Sequence, residues 1–292
     1  MGWDLGGGTA PQKARMQAFP AGALCRDLCA RARIRCHLRG MEMLITGASS
    51  GIGAATARAA GRSGWDVVLT GRRRDRLEAV AEEVRALGRR ADVLVFDVRD
   101  REAVQEAISG HYGAAAGPDV LVNNAGLAAG REAVDVGAFE DWDRMIDTNV
   151  RGLLHVTRAV APRMREGGRI VNVGSIAGRQ AYPGGAVYNA TKFAVDGLTA
   201  ALRMDLLPRG IQVLQILPGA AETEFSEVRF KGDRDAAAQV YAGFEPLRPD
   251  DIAEALLFMV ERPGRVCVQD LVITPSAQAT SMVIRKDPTF AS

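Results

Sequence analysis

The chain is poor in cysteine outside its first 40 residues. Of its four cysteines, Cys25, Cys29 and Cys36 lie in that leading segment, and only Cys267 lies in the remaining body. A body with a single cysteine cannot form an internal disulfide. The sequence therefore predicts a reducing compartment, the cytoplasm.

Long apolar runs and a strong charge of one sign are also missing. No stretch of about 18 apolar residues occurs, so the sequence predicts no membrane-spanning segment. The formal net charge is +2, and the first 40 residues hold seven basic and two acidic side chains. The body is therefore mildly acidic, which argues against a nucleic-acid-binding surface.

Residues 1–40 form a basic leader for which we expect no stable structure. It contains no apolar core typical of a secretory signal. Its three thiols and His37 do not have the spacing of a zinc site, and neighbouring arginines would repel a cation, so no metal is predicted. We leave open whether translation begins at Met41 or Met43. The domain is expected to span 41–292.

From residue 41 onward, short apolar segments alternate with helical segments. Buried strands separated by helices predict an α/β fold: a doubly wound parallel sheet of about seven strands with helices on both faces, in a single domain. A long helix over 139–164 is expected to break near Asn149. The segment 222–243 has weak periodicity and is predicted to be a lid over the substrate. Strands are predicted at 41–46, 66–70, 92–97, 119–123, 169–173, 211–217 and 266–273.

A glycine-rich turn follows the first predicted strand directly. In TGASSGIG (46–53), Gly47, Gly51 and Gly53 allow the backbone to turn tightly and to approach a pyrophosphate. The helix that begins there supplies free N–H donors and a partial positive charge. A glycine pattern alone also fits an ordinary strand–helix turn, but the flanking strand and helix favour a dinucleotide site.

The end of the second strand indicates which dinucleotide binds. An NAD site usually has an acid here, whereas this chain has Arg72 and Arg73. Guanidinium groups bind a 2′-phosphate through charge-assisted hydrogen bonds, so NADP is predicted, with Ser50 as a further donor. The alternative is a solvated basic turn. Asp97 at the end of the third strand is a candidate partner for the adenine amino group.

A tyrosine and a lysine share a helix face in YNATKFAVDGL. Tyr188 and Lys192 are four residues apart, and a nearby ammonium is expected to lower the pKa of the phenol toward a value useful for proton exchange. Ser175 follows a strand at the same sheet edge and is a candidate partner for the substrate oxygen. Asn149, inside a helical run, is a candidate anchor for a proton-relaying water.

Five motifs, TGASSGIG, NNAG, GSIAG, YNATK and PGAAET, match in order and spacing those of the short-chain dehydrogenase/reductase family. The chain resembles this family from about Met41 onward. The resemblance implies a hydride-transferring oxidoreductase on a Rossmann-type fold, with Asn149, Ser175, Tyr188 and Lys192 as the catalytic set. The cofactor-binding residues that the motifs predict are Gly47, Ser49, Ser50, Gly51, Ile52, Gly53, Arg72, Arg73, Asp97, Val98, Asn124, Tyr188, Lys192, Pro218, Gly219 and Thr223.

A narrower resemblance concerns TGRRRDRLE and TEFSEVRFKGD, which are similar to the NADP-dependent 3-hydroxy acid and serine dehydrogenase branch. This implies a small 3-hydroxy acid or its semialdehyde as substrate. Ser175 would then hold the reacting oxygen, and Arg179 and Arg229 are candidates for the carboxylate, as is Lys231. The alternative is that these cations are ordinary surface charges. Relatives are commonly tetramers, so a homotetramer is expected by resemblance.

Two other functions stay open from the sequence. A reductase of bulkier ketones or 3-oxoacyl thioesters would differ only in substrate. A non-catalytic NADP-sensing protein on the same fold belongs to a different class, but such proteins typically lack a catalytic residue, whereas this chain has all four.

Overall fold

Seven parallel strands form one sheet in the order β3-β2-β1-β4-β5-β6-β7. The structure is a computed structural model that describes residues 40–287. Most of the predicted leader therefore lies outside the described residues. The predicted sheet is confirmed. Its strands are β1 Glu42–Thr46, β2 Asp66–Gly71, β3 Ala91–Val95, β4 Val120–Asn123, β5 Arg169–Val173, β6 Gln212–Pro218 and β7 Asp270–Ile273.

Helices connect the strands and cover both faces of the sheet, as predicted. None of the described helices is long and apolar enough to cross a membrane. The α-helices are α1 Gly51–Ser63, α2 Arg74–Ala86, α3 Arg101–Tyr112, α4 Phe139–Ile146, α5 Leu153–Val160, α6 Ala186–Leu206, α7 Glu224–Arg229, α8 Arg234–Gln239 and α9 Pro249–Val260.

The core lies in two layers, one on each side of the sheet, because successive side chains of a strand point to opposite faces. In β1, Met43 and Ile45 belong to the layer beneath α1, α2 and α9, whereas Leu44 belongs to the layer beneath α3 and α5. All five residues of β1 are buried. This explains why the strands read as continuous apolar runs rather than alternating ones.

The strand order reverses between β2-β1 and β1-β4, which makes a topological switch point. The turn after β1 and the turn after β4 meet there at the carboxyl edge of the sheet, where ligands bind in doubly wound folds. The two turns can pack this closely because residue 47 is glycine. A Cβ there would lie only 3.0 Å from the Cα of Ala125. The predicted cofactor motifs thus come together at one edge.

Two predicted strand boundaries need correction. β3 ends at Val95, so Asp97 lies in the loop beyond it, and β7 begins only at Asp270. The predicted helix over 139–164 is interrupted at its expected break, where Asp147–Gly152 form a π-helical turn between α4 and α5. The predicted lid contains two short helices, α7 and α8, rather than an irregular loop.

Candidate active site

The glycine-rich turn has the backbone conformation that its sequence predicts. Gly47 and Gly51 have φ of +65° and +53°, values that side-chain-bearing residues rarely adopt. Gly53 lies against the chain, since a Cβ there would be 2.5 Å from the carbonyl oxygen of Gly47. The turn therefore needs glycine at all three positions, for conformation at two and for space at the third.

The start of α1 is open to an anion. Ser50 occupies the N-cap in an extended conformation, and its side chain makes no capping hydrogen bond. The first N–H groups of a helix lack intrahelical partners and carry a partial positive charge. Ile52 belongs to this first turn and is half-buried. These features fit a pyrophosphate group at the glycine turn.

Arg73 lies directly beside the glycine turn, as expected for a group that binds a 2′-phosphate. It donates hydrogen bonds to the Oγ atoms of Ser49 and Ser50, both at 2.8 Å. It also pairs with Glu224 of α7 at 3.0 Å. The structure thus places a guanidinium and two hydroxyl groups together at the predicted phosphate position.

Arg72 and Asp97 lie near each other at the adenosine end. Their charged atoms are 3.8 Å apart, and Asp97 also accepts hydrogen bonds from Arg99. Burial would raise the pKa of Asp97, but the hydrogen bonds from Arg99 and the charge of Arg72 lower it overall. Its carboxylate is therefore ionised and able to accept a hydrogen bond from an amino group.

Asn124 and Val98 brace the site. The Asn124 amide donates to the carbonyl oxygens of Thr46 and Gly47, so it holds the turn after β4 to the end of β1. The sequence predicted a cofactor contact for Asn124, and the structure shows that its amide braces the turn. Val98 is buried, and a Cβ on Gly152 would lie 2.6 Å from its Cγ2.

The end of β6 leads into α7 beside the glycine turn. Pro218 is the last residue of β6, and its carbonyl accepts a hydrogen bond from the Ser175 hydroxyl at 3.4 Å. The Gly219 N–H donates to Ile273. Thr223 caps α7, and its Oγ1 accepts a hydrogen bond from the N–H of Phe225. A Cβ on Gly51 would lie 3.4 Å from the Cβ of Thr223, so α7 begins against the glycine turn.

Tyr188, Lys192 and Ser175 come together as the sequence predicts. Lys192 Nζ lies 5.9 Å from the centroid of the Tyr188 ring, and the Ser175 side chain is near enough to the Tyr188 hydroxyl to act against the rise in its pKa. Lys192 Nζ donates to the carbonyl oxygen of Val173 at 2.9 Å. Tyr188 and Lys192 are both buried, at 8% and 7% exposure. The phenol ring and the amine thus lie close together, and both are largely withdrawn from solvent.

The expected effect of Lys192 on the tyrosine is not found. Burial raises the pKa of Tyr188, and the influences that lower it come from Ser175 and Arg229 rather than from Lys192. Burial also lowers the pKa of Lys192 to about 8. The sequence argument considered charge alone and omitted the cost of desolvating both groups, which is larger here.

Asn149 clamps the strand-end loop to the catalytic helix. Its Oδ1 accepts from the N–H of Leu127 and its Nδ2 donates to the Leu127 carbonyl, both at 2.8 Å, while Nδ2 also donates to Thr191 of α6. A Cβ on Gly126 would lie 3.2 Å from Asn149 Oδ1 and 3.8 Å from Lys192 Nζ. Asn149 and Lys192 therefore border the same small space.

The two predicted substrate arginines differ in their surroundings. Arg179 pairs with Asp196 at 3.0 Å and with Asp270, so two carboxylates already neutralise it. Arg229 instead lies 5.7 Å from the centroid of the Tyr188 ring and donates to the hydroxyl of Tyr182 at 2.9 Å. The structure thus brings Arg229 to Tyr188, and it gives no support to a substrate role for Arg179.

A profile of the short chain dehydrogenase family matches residues 42–234. The chain belongs to this family. The resemblance inferred from the motifs is confirmed, and the match covers the whole described path from β1 to the start of α8.

Individual relatives in the short-chain dehydrogenase family also support the narrower resemblance. Sulfoacetaldehyde reductase 2 of Chromohalobacter salexigens is 44% identical over 82% of this chain and 96% of its own length. An NADP-dependent 3-hydroxy acid dehydrogenase of Salmonella typhi is 42% identical over 82% and 96%. Serine 3-dehydrogenase of Agrobacterium fabrum is 40% identical over 81% and 94%.

Solved structures of the family agree with the fold. A closed form of serine dehydrogenase complexed with NADP⁺ has a TM-score of 0.78 and 40% identity, covering 84% of this chain and 99% of that one. A short-chain dehydrogenase from Burkholderia cenocepacia in complex with NADP has a TM-score of 0.70 and 35% identity, covering 81% and 97%.

The sequence predictions missed a buried polar network beneath the short-chain dehydrogenase site. Asn123 donates to Thr157 and Asn172, and Asn172 donates to Thr199, each at 2.9 Å. These bonds join β4, β5, α5 and α6. The signal was available, because an asparagine within the apolar run RIVNV indicates a buried amide that needs partners.

Among the described residues, one group has metal-ligand character. Glu42, Asp92 and His111 bring ligand atoms within 4.8 Å of one another. Glu42 and Asp92 lie near the amino ends of β1 and β3, at the edge opposite the active site. Arg90 hydrogen-bonds to Glu42 at 2.7 Å, which places a positive charge within the group. The arrangement is a salt-bridge cluster.

Proposed function

We propose that this protein is an NADP-dependent oxidoreductase that interconverts a small 3-hydroxy acid, or a comparable small anionic alcohol, and its carbonyl form. The observation that carries the substrate class is the position of Arg229 over the Tyr188 ring. Among residues 40–287, the hydrogen-bond partners of Arg229 are the Tyr182 hydroxyl and the carbonyl oxygens of Gly130 and Gly184. None of these carries a negative charge, so the arginine's charge is available to an anionic substrate. The matched relatives are named for small substrates that carry a carboxylate or a sulfonate group.

The chain's own residues fit NADP at the switch point. When bound, NADP supplies the hydride-transfer chemistry through its nicotinamide. The start of α1, with Gly51 and Ile52, would hold the pyrophosphate, and Arg73 with Ser49 and Ser50 would hold the 2′-phosphate. The nicotinamide would lie along the end of β6, close to Tyr188 and Ser175.

Proton transfer is assigned to Tyr188. In the reductive direction its hydroxyl gives a proton to the carbonyl oxygen, while the Ser175 hydroxyl hydrogen-bonds to the same oxygen. The tyrosine's buried position keeps it protonated at neutral pH, ready to act as an acid. Lys192 and Asn149 border the space behind it, where a water can return the proton from solvent.

Arg229 and Tyr182 form the site for the anionic end of the substrate. The hydrogen bond between them holds the guanidinium above Tyr188, where a carboxylate or sulfonate can accept two parallel N–H bonds. A small substrate carries its anionic group only a few bonds from the reacting oxygen. Arg229 can therefore bind the anionic group while Tyr188 and Ser175 contact the reacting oxygen.

Replacing Arg229 by methionine tests this assignment. For a small hydroxy acid, kcat/KM is expected to fall about 10- to 100-fold, the size of a lost charged hydrogen bond. A neutral alcohol of similar size should lose much less. Arg179→Met is the matched control, because two carboxylates already hold that arginine. Equal losses for acid and alcohol would contradict the proposal.

The same measurements separate the rival functions. Preference for long neutral ketones or 3-oxoacyl thioesters would favour the bulkier-substrate reductase, which has less support because Arg229 is placed over Tyr188. Absence of NADPH oxidation with every aldehyde tested would favour a non-catalytic sensor. NADPH and NADH should be compared in parallel throughout, with a strong preference for NADPH expected.

We also propose a cytoplasmic homo-oligomer, with a tetramer as the expected form. Apolar side chains are exposed on α4, α5 and α6, where Ile146, Leu154 and Phe193 are 40%, 38% and 46% exposed. Exposed apolar side chains of this kind are candidates for an interface between subunits. Light scattering after gel filtration tests the assembly state, and a monomer at micromolar concentration would contradict it.

A further inference from the structure

Glu224 is the first residue of α7 and reaches back to the adenosine end of the cofactor site. Its carboxylate accepts a hydrogen bond from Arg73 at 3.0 Å and one from Arg76 at 2.6 Å. Burial would raise the pKa of Glu224, but hydrogen bonds from Arg73 and Ser50 lower it overall, so it is ionised at neutral pH. One carboxylate therefore joins two guanidinium groups from a different part of the chain.

These ion pairs join two elements on opposite sides of the glycine turn. Arg73 and Arg76 lie at the end of β2 and in α2, whereas Glu224 follows β6 on the nicotinamide side. Between them lies the glycine turn, against which Thr223 packs at the position of Gly51. A cofactor with its pyrophosphate on this turn would therefore lie close to the ion pairs.

The other contacts of α7 connect the same helix to the chemistry. The Phe225 ring meets the Tyr188 ring edge-on, with centroids 5.5 Å apart. Ser226 Oγ lies 2.6 Å from the Tyr241 hydroxyl, which donates to Ala221. Arg229 at the end of α7 reaches Tyr182. Movement of α7 would therefore change the cofactor groove and the substrate site together.

We propose that Glu224, with Arg73 and Arg76, forms an ionic clasp that holds α7 over bound NADP and limits its release. The proposal rests on the proposed NADP site. Glu224 acts as a positioning residue, because it contacts the arginines rather than the reacting atoms. Arg76 anchors the clasp, and Arg73 connects it to the 2′-phosphate.

The test measures release of NADPH from the full-length protein, by the loss of its fluorescence in a stopped-flow experiment when excess NADP⁺ is added. Glu224→Gln is expected to release NADPH about three- to tenfold faster, the effect of losing two exposed ion pairs that share one carboxylate. High salt should reduce the difference in release rate between the variant and the wild type. The reason is that salt screens the ion pairs of the wild type, which the variant lacks. Glu227→Gln on the same helix is the control and should leave release unchanged, since Arg234 is the only described side chain that the Glu227 carboxylate pairs with.

Arg76→Gln provides the second arm. If the clasp exists, this variant should speed release less than Glu224→Gln does, because the pair between Glu224 and Arg73 remains, and the double variant should be no faster than Glu224→Gln alone. Additive effects would overturn the proposal, because they would mean that Arg76 binds the cofactor itself. Unchanged or slower release in Glu224→Gln would also overturn it. Because release is measured without turnover, such a result leaves the proposed function to be decided by the substrate assays.

Discussion

At the scale of single residues, the active site places a titratable amine where water is scarce. Lys192 is 7% exposed, and its only described protein acceptor is the carbonyl oxygen of Val173. Burial lowers its pKa from 10.5 to about 8. An amine kept in such a position lowers the stability of the protein when it is charged.

Lys192→Met should therefore stabilise the protein at neutral pH while abolishing efficient turnover. Below pH 8, the buried charge lowers the free energy of unfolding of the wild type by on the order of 3 kcal/mol. The variant avoids this penalty but loses the hydrogen bond to Val173, which stabilises the wild type by about 1 kcal/mol. The unfolded chain keeps its proton up to about pH 10.5, so the wild type regains this stability as pH rises from about 8 to 10.5. Chemical unfolding of the cofactor-free wild type and variant at several pH values measures the difference in their free energies of unfolding.

Lys192→Met should thus be more stable than the wild type at pH 7 and no more stable at pH 11. A difference independent of pH would contradict the assignment of the penalty to the charge.

Pairings of single residues were easiest to predict from the sequence where the partners are close along the chain. Tyr188 and Lys192 share a face because they are four residues apart in one helix. Arg179 was predicted to bind substrate, but one of its partners, Asp270, is 91 residues away. The direction of the Tyr188 pKa was missed for a related reason, since burial depends on the whole fold.

At the scale of elements, the glycine turn shows how closely packed the cofactor site is. Gly53 has no room for a side chain, since a Cβ would lie 2.5 Å from Asn124 Nδ2 and from a backbone oxygen. The Asn124 amide is itself fixed by the end of β1. Neither neighbour can move without disturbing the turn.

Gly53→Ala should therefore lower the free energy of unfolding by about 1–3 kcal/mol, the cost of overpacking, and weaken NADPH binding. Gly110→Ala is the matched control. It lies in α3 with nothing within 4 Å of the added methyl, so the helix should gain about 0.5–1 kcal/mol. Urea denaturation compares the two. Similar changes in both variants would contradict the close packing at Gly53.

Element types were predicted better than element ends. The break near Asn149 was expected because asparagine is a poor helix-interior residue, and the structure has a π-helical turn there. The two helices in 222–243 were missed, because their six-residue lengths are too short to show a periodic pattern. α7 is stabilised mainly by tertiary contacts of Glu224, Phe225 and Arg229, which its local sequence does not reveal.

At the scale of the whole molecule, the sheet brings distant motifs to one edge. Three adjacent strands end at this edge: β1 at Thr46, β4 at Asn123 and β5 at Val173. The glycine turn follows β1, the NNAG loop follows β4 and the Ser175 loop follows β5. This arrangement was predictable, since parallel strands with intervening helices put every carboxyl end on the same side. The substrate and the assembly state were less accessible, because they depend on surfaces built by several elements.

The central claim is that Tyr188 gives the proton to the substrate oxygen. The most direct measurement is the rate of NADPH oxidation by Tyr188→Phe with the best substrate of the wild type, alongside NADPH binding measured by fluorescence. The account predicts binding within about twofold of the wild type and turnover lower by about 10²- to 10⁴-fold, the contribution of a positioned acid. Turnover within tenfold of the wild type would contradict it.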